Sequence, residues 1–213
     1  MSMMVEAGRG AAFGLLSLLF LYPGDAQMEY LEAGGLEELE ELFVSLEVEA
    51  GEVLEDLKAR LNGNTEARAE LLLDLQRDYT RLFVNAFPRV AAPPYSSVYL
   101  DGRGKVWGES TSKVVQLYRA AGLEMSDKFK DVPDHIAAEL ACASYLLLLI
   151  EQGKERGREL YRELVEDHLS WWAPEFLGRV IKNNTSPFYS KLSEVTLKKL
   201  EVESAWLSTS SLS

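Results

Sequence analysis

Four side chains that could take part in chemistry lie close together in the stretch DVPDHIAAELAC, residues 131–142. Asp134 and His135 are adjacent, and Glu139 and Cys142 follow His135 at helical spacing. An Asp–His pair could act as an acid–base couple, and His, Glu and Cys side chains all bind zinc. The same residues could instead recognise a charged partner or stabilise the start of a helix.

The spacing argues against a metal site and against a Cys–His catalytic pair. On one helix, His135 and Cys142 lie about 10.5 Å apart along the axis, so one ion cannot bind both. Direct proton transfer needs about 2.6–3.2 Å between heavy atoms, which this spacing also excludes. The other histidine, His168, has no ligand-like spacing, and the sequence contains neither HExxH nor CxxC. We therefore expect no metal.

Two local roles need no partner at all. Asp134 in the first turn of a helix would interact favourably with the helix dipole, by about 0.3–1 kcal/mol. His135 and Glu139 are four residues apart and could form a pair that contributes about 0.2–0.5 kcal/mol. An enzyme that uses Asp134 and His135, either a small all-α hydrolase or a nucleotide-binding protein, is one alternative function. A general adaptor scaffold is another.

Composition limits the classes of partner. The 213 residues carry a net charge of −12, which opposes general nucleic-acid binding and suits a partner that carries Lys or Arg. Cys142 is the only cysteine, so an intramolecular disulfide is excluded. The apolar run at 11–22 is shorter than the roughly 20 residues that cross a bilayer, and Pro23 follows it. We expect a buried first helix and no stable membrane insertion.

Apolar residues recur at steps of three and four through most of the chain, which is the pattern of amphipathic helices. The sequence predicts an all-α fold, a single-domain bundle of roughly eight to ten helices over residues 1–213. Thr65 is the expected cap of the helix that carries Tyr79 and Phe83. Pro133 suits the first position of another helix, which would place Asp134 and His135 in its first turn. The tail at 207–213 is expected to be flexible.

One segment, 87–109, lacks helical periodicity. It contains three prolines and the aromatic residues Tyr95, Tyr99 and Trp107. We expect a long ordered loop, or a small hairpin about residues 101–102.

Four short motifs, taken in order, resemble the TorD/DmsD/NarJ-type redox-enzyme maturation chaperones. The stretch YTRLF at 79–83 is similar to the Y-x-x-L-F motif of that family, and PPYSSVY at 93–99 is similar to its P-P-Y-x-S-V-Y loop. The stretch PDH at 133–135, followed by Glu139, is similar to its second signature. The ending, with Trp171, Pro174 and SPFY at 186–189, also matches.

The resemblance implies a cytoplasmic, all-helical chaperone. Its implied partners are a twin-arginine leader peptide and the apo form of a molybdopterin oxidoreductase subunit, which it holds until the cofactor is inserted. The resemblance also implies a monomer or a domain-swapped dimer, for which the segment 87–109 is a candidate hinge. Weak GTP binding is implied by the resemblance alone, and we expect no other cofactor.

The sequence offers both features that a twin-arginine leader requires, namely carboxylates for the arginines and aromatic side chains for the apolar stretch that follows them. We expect Asp134 to pair with arginine and His135 to orient the peptide by hydrogen bonding. The predicted leader-binding residues are Tyr79, Phe83, Pro94, Tyr95, Tyr99, Asp134, His135 and Glu139.

Overall fold

The structure is a computed structural model that describes residues 2–102, 106–127 and 129–210, with side chains described from residue 8 to residue 209 of these ranges. Apart from one isolated bridge between Tyr95 and His135, the regular structure in these ranges is helical. The predicted all-α class is confirmed.

The described residues form eleven α-helices: α1 (Ser2–Leu19), α2 (Asp25–Tyr30), α3 (Leu36–Ser45), α4 (Gly51–Leu61), α5 (Thr65–Tyr79), α6 (Ser96–Leu100), α7 (Glu109–Ala120), α8 (Ile136–Glu151), α9 (Glu155–Leu164), α10 (Ser170–Asn183) and α11 (Pro187–Ser210). Three π-helical turns follow α2, α5 and α9: Leu31–Gly35, Thr80–Val84 and Val165–Leu169. The first of these turns joins α2 to α3, and the third joins α9 to α10. The described ranges therefore hold nine helical stretches, within the expected eight to ten.

The chain groups into two compact units, each built from separate stretches of sequence. The first unit comprises residues 1–17, 94–176 and 200–213, and the second comprises residues 18–93 and 177–199. The single domain expected over 1–213 and the hinge expected at 87–109 stay predictions.

The core of the first unit forms around α8. Its side chains Ile136, Leu140 and Leu146 are fully buried. Helix α1 approaches α8 closely, since a Cβ atom on Gly10 would lie 3.4 Å from the carbonyl oxygen of Ser144. The Ser144 hydroxyl donates to the Gly10 carbonyl at 2.8 Å. A small residue at position 10 therefore allows the two helices to share a hydrogen bond between side chain and backbone.

The core of the second unit contains an aromatic cluster. Tyr79 lies 4.9 Å from Phe83 between ring centroids, and Phe83 lies 5.2 Å from Tyr189 and 6.4 Å from Phe20, each pair edge to face. All four side chains are buried. Edge-to-face pairs at these distances add about 0.5–1.5 kcal/mol each beyond area burial. Tyr79 and Phe83 are therefore core residues of this unit.

The structure corrects one expectation about chain segments. The hairpin expected about residues 101–102 is wrong, because residues 96–100 form helix α6; residues 103–105 lie outside the described ranges. Helix α11 extends through Ser210 and Leu207 is fully buried, while the flexibility expected of the tail at 207–213 stays a prediction. Residues 211–213 lie outside the described ranges.

The cap of α5 is Asn64 rather than Thr65. Asn64 has extended backbone geometry, and its side-chain oxygen accepts a hydrogen bond from the Ala67 amide at 2.9 Å. Thr65 is already the first helical residue. Asparagine is among the strongest N-cap residues because its short side chain reaches the free amides of the first turn.

Replacing Asn64 with alanine is expected to lower the free energy of unfolding by about 1 kcal/mol, the usual cost of removing such a cap. Thr65→Ala is the matched control and should change it by less than about 0.5 kcal/mol. Urea denaturation of both variants measures the difference. A larger loss for Thr65→Ala than for Asn64→Ala would contradict the assignment of the cap.

Candidate functional site

His135 is the N-cap residue of α8. The helix begins at Ile136, and His135 has extended backbone angles, with φ −69° and ψ 138°. Its ring nitrogen Nδ1 accepts a hydrogen bond from the Ala137 amide at 3.0 Å. The expectation that Asp134 and His135 lie in the first turn is therefore wrong, because the helix starts one residue after His135.

Asp134 caps a different helix, α6. Its Oδ2 atom accepts a hydrogen bond from the Ser97 amide at 2.8 Å and lies 3.4 Å from the Ser96 hydroxyl. The Asp134 carbonyl also accepts from the Ser96 amide at 3.0 Å. The carboxylate is fully buried. Asp134 thus stabilises the start of α6, where helix amides lack partners within the helix.

These bonds join two motif segments of the first unit, residues 94–97 and residues 134–136. In addition to the Asp134 contacts, the Ile136 amide donates to the Pro94 carbonyl at 2.9 Å. The segment 94–97 is therefore held against the segment 134–136 by both backbone and side-chain hydrogen bonds. Pro94 is buried, and Tyr95 is half-buried beside it.

The His135 ring is enclosed by aromatic side chains. Its centroid lies 5.5 Å from that of Tyr95 and 6.3 Å from that of Phe129, and the residue is 1% exposed. Burial lowers the pKa of His135 to about 4, and the carboxylates of Asp131 and Asp134 offset this only in part. His135 is therefore neutral at pH 7, and its Nδ1 atom is the acceptor required for the helix cap.

Glu139 belongs to a second cluster on the same helix. The residue is fully buried, its Oε1 atom lies 2.8 Å from Nε2 of His168, and its Oε2 atom accepts from the Trp172 indole N–H at 3.0 Å. The Tyr99 ring lies 5.6 Å from that of Trp172. The expected pairing of Glu139 with His135 is wrong, because Nδ1 of His135 caps the helix and Glu139 turns to His168 and Trp172.

Both members of the Glu139–His168 pair have a raised pKa. Burial raises the pKa of the Glu139 carboxyl, and the bonds from His168 and Trp172 reduce this rise. Burial alone would lower the pKa of His168, but the charge of Glu139 and the hydrogen bond to it outweigh that effect and raise the pKa. Sequence analysis missed His168 and Trp172, because both are distant from Glu139 along the chain.

The structure brings six of the eight predicted site residues into the first unit, namely Pro94, Tyr95, Tyr99, Asp134, His135 and Glu139. Tyr79 and Phe83 belong to the aromatic core of the second unit. Tyr95 and Tyr99 alone among the eight keep partial exposure. The roles assigned to these residues in leader binding stay predictions.

Within the described ranges, no group of three or more His, Cys, Asp or Glu side chains is arranged to hold a metal ion. Nor is any helix in this part of the chain both long and apolar enough to cross a membrane.

Residues 29–178 match the family model described as nitrate reductase delta subunit, and the chain therefore belongs to that family. The resemblance to TorD/DmsD/NarJ-type maturation chaperones is confirmed, and the class of function is that of a chaperone for redox-enzyme maturation.

Curated relatives agree with this assignment. The chain is 27% identical over 162 residues to the chaperone protein TorD of Shewanella piezotolerans, covering 73% of this chain and 70% of that protein. It is 25% identical over 215 residues to TorD of Shewanella pealeana, covering 95% and 91%. It is 31% identical over 121 residues to the Tat proofreading chaperone DmsD of Salmonella typhi, covering 57% and 56%.

A solved structure has the same fold. The crystal structure of an Archaeoglobus fulgidus protein assigned to redox enzyme maturation aligns with a TM-score of 0.56 over 92% of this chain and 93% of that one. The two sequences are 23% identical, so this likeness concerns the fold alone.

Proposed function

We propose that this protein is a cytoplasmic chaperone that binds the twin-arginine leader, and the apo form, of a molybdopterin oxidoreductase subunit. Binding aids cofactor insertion and holds back export until the subunit is complete. The observation that carries the proposal is the family match over residues 29–178. The net charge of −12 adds support, because an acidic chain attracts a leader whose defining feature is a pair of arginines.

The geometry suggests how the first unit contributes to binding. Asp134 and His135 are buried and act as helix caps, so their part is to hold the segment 94–97 and helix α6 in place. Tyr95 and Tyr99 lie on that segment and helix and keep partial exposure. In this proposal these two aromatic side chains contact apolar residues of the bound client, in its leader or its apo form.

The proposed function is not enzymatic. A general base must reach the proton that it removes, so one ring nitrogen of a catalytic Asp–His pair needs access to the substrate. Here the Asp134 carboxylate and the His135 ring are enclosed and serve as hydrogen-bond acceptors for backbone amides. This arrangement favours a chaperone over the alternative of a small all-α enzyme.

Calorimetric titration with a synthetic twin-arginine leader tests the proposal. We expect saturable binding with one peptide per chain, weakened by added salt because part of the attraction is between opposite charges. The matched control is the same peptide with both arginines replaced by glutamine, which should bind more weakly. Absence of binding by several twin-arginine leaders would contradict the proposed function.

A further inference from the structure

The second unit contains a cleft of about 430 Å³ lined by α4, α5 and the start of α11. Its floor is apolar and includes the buried side chains of Leu57, Leu71 and Leu75. Phe188, which is partly exposed, forms part of its wall. A volume of this size lies in the range of clefts that bind small ligands or side chains of a peptide.

Acidic side chains surround the apolar floor. Of the charged residues that line the cleft, four carry carboxylates and two, Arg60 and Arg77, carry guanidinium groups. Both arginines are already paired: Arg60 lies 2.7 Å from Asp74 and 3.5 Å from Asp56, and Arg77 lies 3.1 Å from Asp74. The cleft therefore keeps an excess of negative charge that these two arginines do not neutralise.

Two of the four carboxylates, those of Glu52 on α4 and Asp78 on α5, are not paired with Arg60 or Arg77. Glu52 is exposed and forms no ion pair within the part of the chain that the structure describes. Asp78 contacts Arg81 at 2.9 Å and keeps 25% of its side chain exposed. A carboxylate can accept two parallel hydrogen bonds from an incoming guanidinium group, which makes arginine the cation best matched to such a rim.

We propose that this cleft binds a peptide segment in which arginine precedes an apolar side chain. The arginine pairs with Glu52 and Asp78, and the apolar side chain rests on the leucine floor. The inference rests on the proposed function, because the twin-arginine leader is the peptide that offers this order of side chains. It also gives arginine an accessible partner, which Asp134 is not, since that carboxylate is fully buried and bonded to Ser97.

The test compares leader binding by the wild type and by the double variant Glu52→Gln/Asp78→Asn, using fluorescence anisotropy of a labelled twin-arginine leader. We expect about tenfold weaker binding by the variant, which is the combined effect of two partly exposed ion pairs. The control is Glu37→Gln/Glu41→Gln, which removes the same charge from exposed positions of α3 that do not line the cleft. Its affinity should stay within about twofold of wild type.

A second peptide distinguishes specific ion pairing in the cleft from non-specific electrostatic attraction to the acidic chain. The leader with both arginines replaced by glutamine should bind the cleft variant and the wild type equally. Equal binding of the twin-arginine leader by the cleft variant and the wild type, or an equal loss in the α3 control, overturns the cleft assignment and leaves the proposed function intact. Absence of leader binding by the wild type overturns both. Melting curves confirm folding, and Glu52→Gln alone replaces the double variant if Asp78→Asn disturbs it.

Discussion

Replacing Glu139 with alanine is expected to lower the free energy of unfolding by about 3–5 kcal/mol, which is typical when one partner of a buried pair is removed. The carboxylate is fully buried and accepts bonds from both His168 and Trp172. Without it, two buried N–H groups lose their acceptor, and each costs roughly 1–3 kcal/mol when left unsatisfied. Urea denaturation at pH 7, followed by circular dichroism, measures the loss.

Two variants show whether the loss belongs to the hydrogen bonds of Glu139. Glu139→Gln keeps one amide oxygen as an acceptor and should lose less stability than Glu139→Ala. Glu41→Ala removes the same side chain from an exposed position of α3 and should change stability by less than about 0.5 kcal/mol. The prediction would be contradicted if the free energy of unfolding of Glu139→Ala were within about 1 kcal/mol of the wild-type value, a difference that a surface substitution can cause.

The sequence could predict most of the helices, because a helix buries one face and that requirement leaves a local pattern. Leu36, Leu39 and Phe43 recur at helical steps, and all three are buried in α3. Pro187, a residue type that suits the first position of a helix, is the first residue of α11. The family could be predicted as well, because its motifs are short stretches that can be recognised without knowing how they pack.

The partners of the site residues could not be predicted, because they are distant along the chain. Glu139 bonds to His168, 29 residues away, and the Asp134 side chain bonds to Ser97, 37 residues away. A local pattern also favoured the wrong partner: His135 and Glu139 are at pairing distance on a helix, yet the helix begins only after His135. In each case, hydrogen bonds between segments distant in sequence determine which residue each side chain pairs with.

The burial of the charged residues also could not be predicted from the sequence. Asp134 and Glu139 were expected to take part in binding a leader peptide, and nothing in the sequence indicated their burial. Both are fully buried. Glu139 accepts hydrogen bonds through both oxygens, from an imidazole and an indole, whereas Asp134 accepts them through Oδ2 only, and its Oδ1 atom has no hydrogen-bond partner among the described residues. The motif residues of the first unit thus act mainly by holding neighbouring segments, and their substitution should alter stability before it alters contact with a peptide.

The second large effect is expected at Glu203 on α11, far in sequence from the motifs. Glu203 is fully buried; its Oε1 atom accepts a bond from Nε of Arg9 at 3.1 Å, and its Oε2 atom accepts from the Tyr161 hydroxyl at 2.7 Å. The Arg9 guanidinium also lies over the Trp206 ring, 3.7 Å from its centroid. Glu203→Ala should lower the free energy of unfolding by about 3 kcal/mol, because it leaves Arg9, whose side chain is only 12% exposed, without its carboxylate.

A double-mutant cycle in urea denaturation separates the lost pair from the lost volume. Arg9→Met keeps an apolar side chain of similar length against Trp206, and Glu203→Leu fills the space of the carboxylate. The double variant Arg9→Met/Glu203→Leu should be more stable than Glu203→Leu alone, because it removes the unpaired cation together with its partner. If instead the two single losses add to the double loss within about 0.5 kcal/mol, Arg9 and Glu203 are not coupled and the prediction is wrong.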